Sequence, residues 1–374
     1  MTSSRGRVLF LHSNSEWYGS DRSFCLLSQA LRARGWDIVP AVPGPGPLVD
    51  ALERAGLRPL LLDPGVVRAR AVGRSAVLRS LAIDVPRAAW RCRRAARSAD
   101  LVHLNTSIIA GGLLGGWTAR RPVIMHVRES YVGNPRLWRR YAHAVRPLVA
   151  RVIAISSDIG DEARAAGFGD RTVVVHNGLE FDPREPPADG DRIVLVGRIN
   201  QWKGYDVFVD AMARLRDRGV DARADIAGDA FPGSEHFVDE LRASIRRRGL
   251  DEHVRLLGYV DGIPALLRTA ALFVAPSVWP EPFGLALVDA MSRGVACVAT
   301  DAGGPKDIVR PGETGLLVPP GDAGALADAI ETLWRDPDRR RAMGEAAAAD
   351  VRARFSIDAT ADAISQIYED VLRR

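Results

Sequence analysis

With 374 residues, 47% hydrophobic and 26% charged, the chain exceeds what one hydrophobic core usually fills, so two domains of similar size are expected and intrinsic disorder or a fibrous repeat is excluded. The net charge of +5 is unevenly spread: residues 1–180 carry 26 Lys+Arg against 14 Asp+Glu, a balance of +12, and residues 181–374 carry 25 against 32, a balance of −7. The first half therefore faces something anionic, such as a membrane surface or an acidic substrate, or else carries the arginine of a biased genome; no motif supports nucleic acid as a partner.

Cys25, Cys92 and Cys297 lack any CxxC or Cys/His pairing, which argues against a disulfide framework or a zinc site and for a reducing, cytoplasmic compartment. No apolar run approaches the roughly 20 residues of a spanning helix, and the N-terminus lacks the apolar core of a signal peptide. A membrane would be met only from its surface, at its inner face.

Taken in order, Arg7 to His12 (RVLFLH) reads as a buried first strand, followed by a loop and a helix at FCLLSQALRARG. Gly19, Ser20 and Asp21 fall where strand passes into helix. Gly19 there lets backbone approach a ligand and Ser20 or Asp21 caps the helix; a plain helix cap fits the same residues. Trp36 to Val42 reads as a strand, Pro43 to Pro47 as a turn and Arg58 to Leu62 as a short strand. Arg68 to Arg97 places nine arginines among apolar residues at amphipathic helical spacing, which suits either anionic lipid or a solvated face. Leu101 to Leu104 is a strand, Asn105-Thr106-Ser107 a cap, and Ile108 to Ala119 a glycine-rich helix whose GGLLGG lacks phosphate-loop spacing.

Pro122 to His126 is a further strand, leading into Val127-Arg128-Glu129-Ser130. His126 and Glu129 thus lie at a strand's carboxyl end, the ligand position of open α/β sheets, although a satisfied buried histidine is the ordinary alternative. Strands at Arg151 to Ile155 and Thr172 to His176 complete the first half. Residues 181–191, with three prolines among charges, read as a linker between a domain of 1–180 and one of 192–350, with 351–374 as a C-terminal helix packing back on the first domain.

The second half restarts with the strand Arg192 to Val196 and the loop GRINQWKG, then strands at Ala224 to Ala227, Val254 to Leu257, Leu272 to Ala275, Ala296 to Thr300 and Gly315 to Val318, with helices between them and a helical tail from Ala323. Alternating strands and helices in both halves predict two doubly wound units. Arg198 and Lys203 flank a glycine-bounded loop directly after a strand, an arrangement suited to a diphosphate: arginine gives a forked contact and lysine a point charge. Of 51 basic residues only Lys203 and Lys306 are lysine, and both fall in candidate ligand loops. In Trp279 to Gly304 (WPEPFGLALVDAMSRGVACVATDAGG), Glu281 precedes a helix opened by Phe283-Gly284-Leu285, and Asp289 lies eight residues further on. Unpaired N–H groups at such a helix start receive an anionic or hydroxyl-rich ligand.

Gly197-Arg198 with Lys203-Gly204, then PSVWPEPFGLALVDAM, ATDAGGPKDIV and GETGLLVPPGD, resemble the donor-binding domain of retaining glycosyltransferases of family 4, which have the GT-B fold of two Rossmann-like domains facing a cleft. The resemblance is dense from about residue 193 to 322 and looser before. It implies a nucleotide-diphosphate sugar donor, UDP- or GDP-linked, with Arg198 and Lys203 on the diphosphate and Glu281 on hexose hydroxyls. Backbone at Pro282, Phe283, Gly284 and Leu285 would face sugar and phosphate, Asp289 the ribose, and Tyr259-Val260 the base. Asp289 stands where the family pattern has glutamate. Gly19, in a GSD sequence where a double glycine is common, matches a loop approaching the diphosphate, and His126 matches a histidine beside the transferred sugar, across the cleft. His126, Glu281, Arg198 and Lys203 become the expected catalytic set, with Gly19, Ser20 and Glu129 among the substrate contacts.

The implied reaction is a same-face dissociative displacement that needs neither a cofactor nor a metal, and there is no Asp-x-Asp motif in a suitable loop. The acceptor is expected to be a glycan, a lipid-linked saccharide or a small molecule, held by the first domain. Two rivals share the architecture: a sugar-nucleotide epimerase or hydrolase, and a catalytically idle sugar-nucleotide-binding partner.

Overall fold

Short β-branched and aromatic runs alternate with amphipathic segments along the chain, and the computed structural model folds them into two all-parallel sheets. It describes residues 4–67, 80–182, 188 and 190–374. The chain divides into two compact units, one formed by Met1–Glu180 with Ser356–Arg374 and the other by Phe181–Phe355.

The first unit carries β1 (Gly6–Leu11), β2 (Trp36–Val42), β3 (Leu60–Leu61), β4 (Leu101–Leu104), β5 (Val123–Val127), β6 (Arg151–Ala154) and β7 (Thr172–Val174), in the order β3-β2-β1-β4-β5-β6-β7. β1 is central: Val8 pairs with Ile38 of β2 on one side and Leu101 of β4 on the other. Strand order therefore reverses between β1 and β4, and a crevice opens at their carboxyl ends, where ligands of such sheets bind. One face is covered by helices Gly19–Ala33 and Ile357–Leu372. Their apolar stripes bury Phe24, Leu27, Ile364 and Tyr368 against Phe10, Trp36 and Ile124 of the sheet. The last helix is fixed by Tyr368, whose ring lies edge-on to Trp36 at 5.1 Å and whose hydroxyl meets His103 Nδ1 at 2.6 Å.

Buried beneath that helix, His103 has its pKa pulled down to about 3, by desolvation first and by the Arg128 charge second. Its ordinary value is 6.5, so the unfolded chain binds a proton that the folded chain refuses. The stability this supplies is complete above pH 6.5 and is lost as pH falls toward 3. Replacing His103 by phenylalanine should flatten the fall in melting temperature between pH 6.5 and 4; an unchanged slope would reject this assignment.

The second unit repeats the plan. β8 (Arg192–Val196), β9 (Arg223–Ala227), β10 (Val254–Gly258), β11 (Ala270–Ala275), β12 (Ala296–Thr300) and β13 (Leu316–Val318) run in the order β10-β9-β8-β11-β12-β13, and strand order reverses between β8 and β11. Both sheets belong to the two-Rossmann GT-B architecture that the motifs imply.

Several local expectations need correcting. The strand expected over 58–62 is only Leu60–Leu61, and the turn at 43–47 leads into an unforeseen helix, Pro47–Arg54, with proline in its first turn. A second unforeseen helix, Pro135–Val145, starts with Asn134 accepting a hydrogen bond from Leu137 N. Of the basic stretch 68–97, residues 68–79 lie outside the described residues, and Val85–Ala96 is helical. The helical tail is three helices, Ala323–Trp334, Pro337–Arg354 and Ile357–Leu372. No described helix is long and apolar enough to cross a membrane.

Candidate active site

In the second unit the loop leaving β8 and the loop leaving β11 are tied together at the crevice. Asn200 Oδ1 accepts from the backbone N–H groups of Trp202 and Lys203, both at 3.2 Å, and Trp202 O accepts from Val278 N at 2.9 Å. These bonds bring Lys203 to Glu281, Nζ to Oε2 at 2.5 Å, with the two side chains 25% and 19% exposed. Ser277 Oγ donates to the same carboxylate oxygen at 3.1 Å. Glu281 is fixed through its backbone as well: it bridges Gly303, and its carbonyl accepts from Gly304 N at 2.7 Å. That explains the paired glycines after β12. The Trp202 and Trp279 rings of the same two loops stack with centroids 6.4 Å apart. Tyr205, whose hydroxyl donates to Gly197 O at 2.7 Å, closes the floor.

Arg198 leaves the end of β8 with its guanidinium 3.9 Å above the Phe231 ring, a residue of the loop after β9. Helix Leu285–Ser292 begins at Gly284, whose left-handed backbone (φ 113°) sets the helix start beside Glu281. The Phe283 side chain points inward, 2% exposed and edge-on to Phe355, so that residue offers a ligand only its backbone. Asp289 is engaged within its own helix: Arg293 Nη1 meets its Oδ1 and donates to its carbonyl at 2.9 Å. Tyr259, just past β10, is half exposed, and Val260 follows it.

In the first unit the residue following each central strand joins one buried polar network. His12 follows β1, Asn105 follows β4 and Arg128 follows β5. Asn105 Nδ2 donates to His12 Nδ1 at 2.8 Å, which leaves His12 Nε2 to donate to Asp21 Oδ1 at 2.6 Å. Asp21 Oδ2 in turn accepts from Tyr18 N at 2.8 Å, so the cap of helix Gly19–Ala33 is Tyr18 with Asp21 in the third position, not Ser20 or Asp21 as expected. Ser20 Oγ donates to Asp21 Oδ1 at 3.2 Å, and Gly19 is the first helical residue.

Arg128 donates to Asn105 Oδ1, Ser23 Oγ and Asn177 Oδ1 at 3.3, 2.7 and 2.7 Å. Burial among these neutral acceptors draws its pKa down to about 10. Glu129 accepts from Thr106 Oγ1, from Ser107 Oγ at 3.0 Å and from Arg128 N at 3.2 Å, so the Asn105-Thr106-Ser107 segment serves this network rather than capping the next helix. His126 is 1% exposed and stacks on His103 at 5.4 Å. Neither of its ring nitrogens has a hydrogen-bond partner among the described residues, and burial holds its pKa well below 6.5.

Of the residues expected at the site, Lys203 and Glu281 meet and Glu129 joins the polar network of the first unit, whereas Ser277, Asn200, Tyr205, His12, Asn105, Arg128 and Asn177, which bond beside them, were not among those expected. The usable signal was positional, because several of these polar residues directly follow an apolar run.

Two doubly wound units, each with polar side chains gathered at the carboxyl edge of its sheet, make up the two-Rossmann arrangement of the GT-B fold. Solved structures share the fold over nearly the whole chain. Anabaena Alr3699/HepE in complex with UDP and glucose matches with a TM-score of 0.84 at 24% identity, covering 98% of this chain and 100% of that one. The sucrose-phosphate synthase of Thermosynechococcus elongatus matches with a TM-score of 0.77 at 23% identity, covering 99% and 100%. The model of Glycosyltransferase Family 4 matches residues 17–182, and that of Glycosyl transferases group 1 matches residues 179–350. The lipopolysaccharide core biosynthesis mannosyltransferase LpsB of Rhizobium meliloti is 31% identical over 304 residues, 74% of this chain and 85% of that protein. A phosphatidyl-myo-inositol mannosyltransferase of Mycobacterium leprae is 33% identical over 225 residues, 58% of each chain. The chain belongs to glycosyltransferase family 4.

Proposed function

We propose that this glycosyltransferase moves a hexose or hexose derivative from a UDP- or GDP-linked sugar to a glycan, lipid-linked or small-molecule acceptor, with retention of configuration and without a metal. The observation carrying this reading is the Lys203–Glu281 pair at the strand-order reversal of the second unit, on the loop that Arg198 opens. As the anomeric C–O bond breaks, its electron pair goes to the leaving diphosphate oxygen, where negative charge grows. Fixed cations at Arg198 and Lys203 lower the barrier most at that point. The acceptor hydroxyl enters on the face the diphosphate leaves and gives its proton to a phosphate oxygen. Glu281 holds the ammonium in place and accepts a hexose hydroxyl, while backbone at Pro282 to Leu285 faces sugar and phosphate. The Tyr259-Val260 backbone meets the base.

The names of the relatives at 31–33% identity support mannose as the first sugar to test and a lipid-borne saccharide as the first acceptor. The +12 balance of residues 1–180 supports work at an anionic membrane surface. His126 is assigned beside the transferred sugar, because its two unpartnered nitrogens form a costly arrangement that a bound hydroxyl relieves. Gly19, Ser20 and Glu129 are assigned to the ligand edge of the same unit.

Since Arg198 and Lys203 supply the neutralising charge, transfer should persist within about twofold in excess EDTA. A loss above tenfold that magnesium or manganese restores would reject the metal-independent reading. Asp289, assigned to the ribose, has one carboxylate oxygen engaged by Arg293. Asp289→Ala should raise the donor KM by about tenfold, the worth of one hydrogen bond, with kcat held. An unchanged KM would remove Asp289 from the site.

A further inference from the structure

The ligand edge of the first unit lies at the carboxyl ends of its strands, yet five of its arginines gather at the opposite edge. A cavity of about 560 Å³ opens where β5 and β6 begin, and Arg120, Arg121, Arg151, Arg171 and Arg374 line it together with Trp117. No carboxylate side chain lines this cavity, and none of the five arginines forms an ion pair among the described residues. Like charges gathered in such excess raise the local potential and attract a multiply charged anion.

The backbone supplies a second, independent observation. Helix Ala110–Thr118 ends in a Schellman turn, with Arg120 N donating to Trp117 O at 2.9 Å and Arg121 N to Gly116 O at 3.0 Å. The turn requires a left-handed residue at its penultimate position, ordinarily glycine, and here Arg120 occupies it at φ 59°. Among the described residues it is the one non-glycine residue with positive φ. A long charged side chain is kept where a bare backbone would be cheaper, and an observed strain of this kind points to a use for that side chain. The neighbouring Arg121 has its Nε buried without a partner while its Nη2 donates to Arg97 O at 3.0 Å. Trp117, half exposed, forms an apolar rim.

We propose that this cavity is a second anion site, distinct from the transfer site, and that it takes a phosphate group carrying more than one negative charge. Guanidinium forks match paired phosphate oxygens, and several together favour a multiply charged group over a lone carboxylate. The phosphate is either that of a free soluble anion or the headgroup of an anionic lipid.

The test uses the full chain carrying Arg198→Ala and Lys203→Ala, so that the donor loop does not contribute. Inorganic tripolyphosphate is titrated by calorimetry, and vesicles of phosphatidic acid or of phosphatidylcholine are co-sedimented, with and without Arg120→Gly and Arg151→Gln. The Arg120→Gly change relaxes the backbone, so melting temperature should hold or rise while affinity falls by tenfold or more. Loss of tripolyphosphate binding alone identifies a soluble anion, and loss of phosphatidic acid binding alone identifies a lipid phosphomonoester headgroup. Equal binding by parent and variant in both arms, or binding in neither, would overturn the site. Transfer by the otherwise wild-type protein carrying Arg120→Gly, assayed on a soluble acceptor, should be unchanged.

Discussion

Glycosyl transfer by the Arg198→Ala, Lys203→Ala double variant is expected to fall by at least about 10³-fold, because each removes a preorganised cation from the oxygen where charge develops, an effect on the order of 10² or more per group. The loss should appear in kcat as well as in donor KM, since the charge on the diphosphate grows toward the transition state. Folding should be nearly untouched. The Lys203–Glu281 pair is partly exposed, and pairs of that kind contribute about 1 kcal/mol or less. Lys203→Arg keeps the charge but replaces a compact ammonium with a wide fork, so it should recover only part of the rate. Initial rates, read beside melting temperatures, separate a lost site from a lost fold. Full activity in the double variant would remove both residues from the reaction.

Gly204→Ala should be among the most damaging single methyls in the second unit. Gly204 caps helix Tyr205–Asp217 with a left-handed backbone (φ 73°), and a Cβ added there would lie 1.9 Å from the carbonyl oxygen of Pro276. The oxygen belongs to backbone and the Cβ is held directly by it, so neither side can rotate away, and the β8 and β11 loops must separate. A cost of roughly 2–4 kcal/mol is expected from the clash and the strained φ together. Because Lys203 precedes the clash and Ser277 follows it, donor affinity should fall with stability. Gly233→Ala is the control. It has φ 83° but nothing within 4 Å of its added Cβ, so only the strain of about 1 kcal/mol should remain. Similar melting shifts for the two variants would show that the loop contact does not matter.

Strand positions were legible because each central strand is a short, largely apolar run. Trp36–Val42, Leu101–Leu104, Arg192–Val196 and Ala296–Thr300 are strands over the very residues expected. Helices that open with proline were harder to read. Pro47 and Pro135 each sit in a first turn, where the missing N–H costs nothing, yet both resemble loop residues in sequence. The loop proposed for the donor stood out by residue type, since lysine is so rare in this arginine-rich chain.

The partners of these residues were not legible. Lys203 and Glu281 are 78 positions apart, and Arg128 and Asn177 are 49 apart. Only the fold brings them together, and a single sequence carries no record of such pairings. The Asp289–Arg293 pair, four residues apart on one helix, lay within reach of helical spacing and was overlooked. The Arg120 turn could not have been foreseen at all, because the left-handed residue there is not the glycine that usually announces one.

The anomeric configuration of the product tests the central claim most directly. Wild-type protein should be incubated with UDP- and GDP-linked hexoses of known anomer and a saccharide acceptor, and the product analysed by NMR. Retained configuration in an acceptor-dependent glycoside is the predicted result. An inverted glycoside, or free or epimerised sugar formed equally well without acceptor, would contradict it.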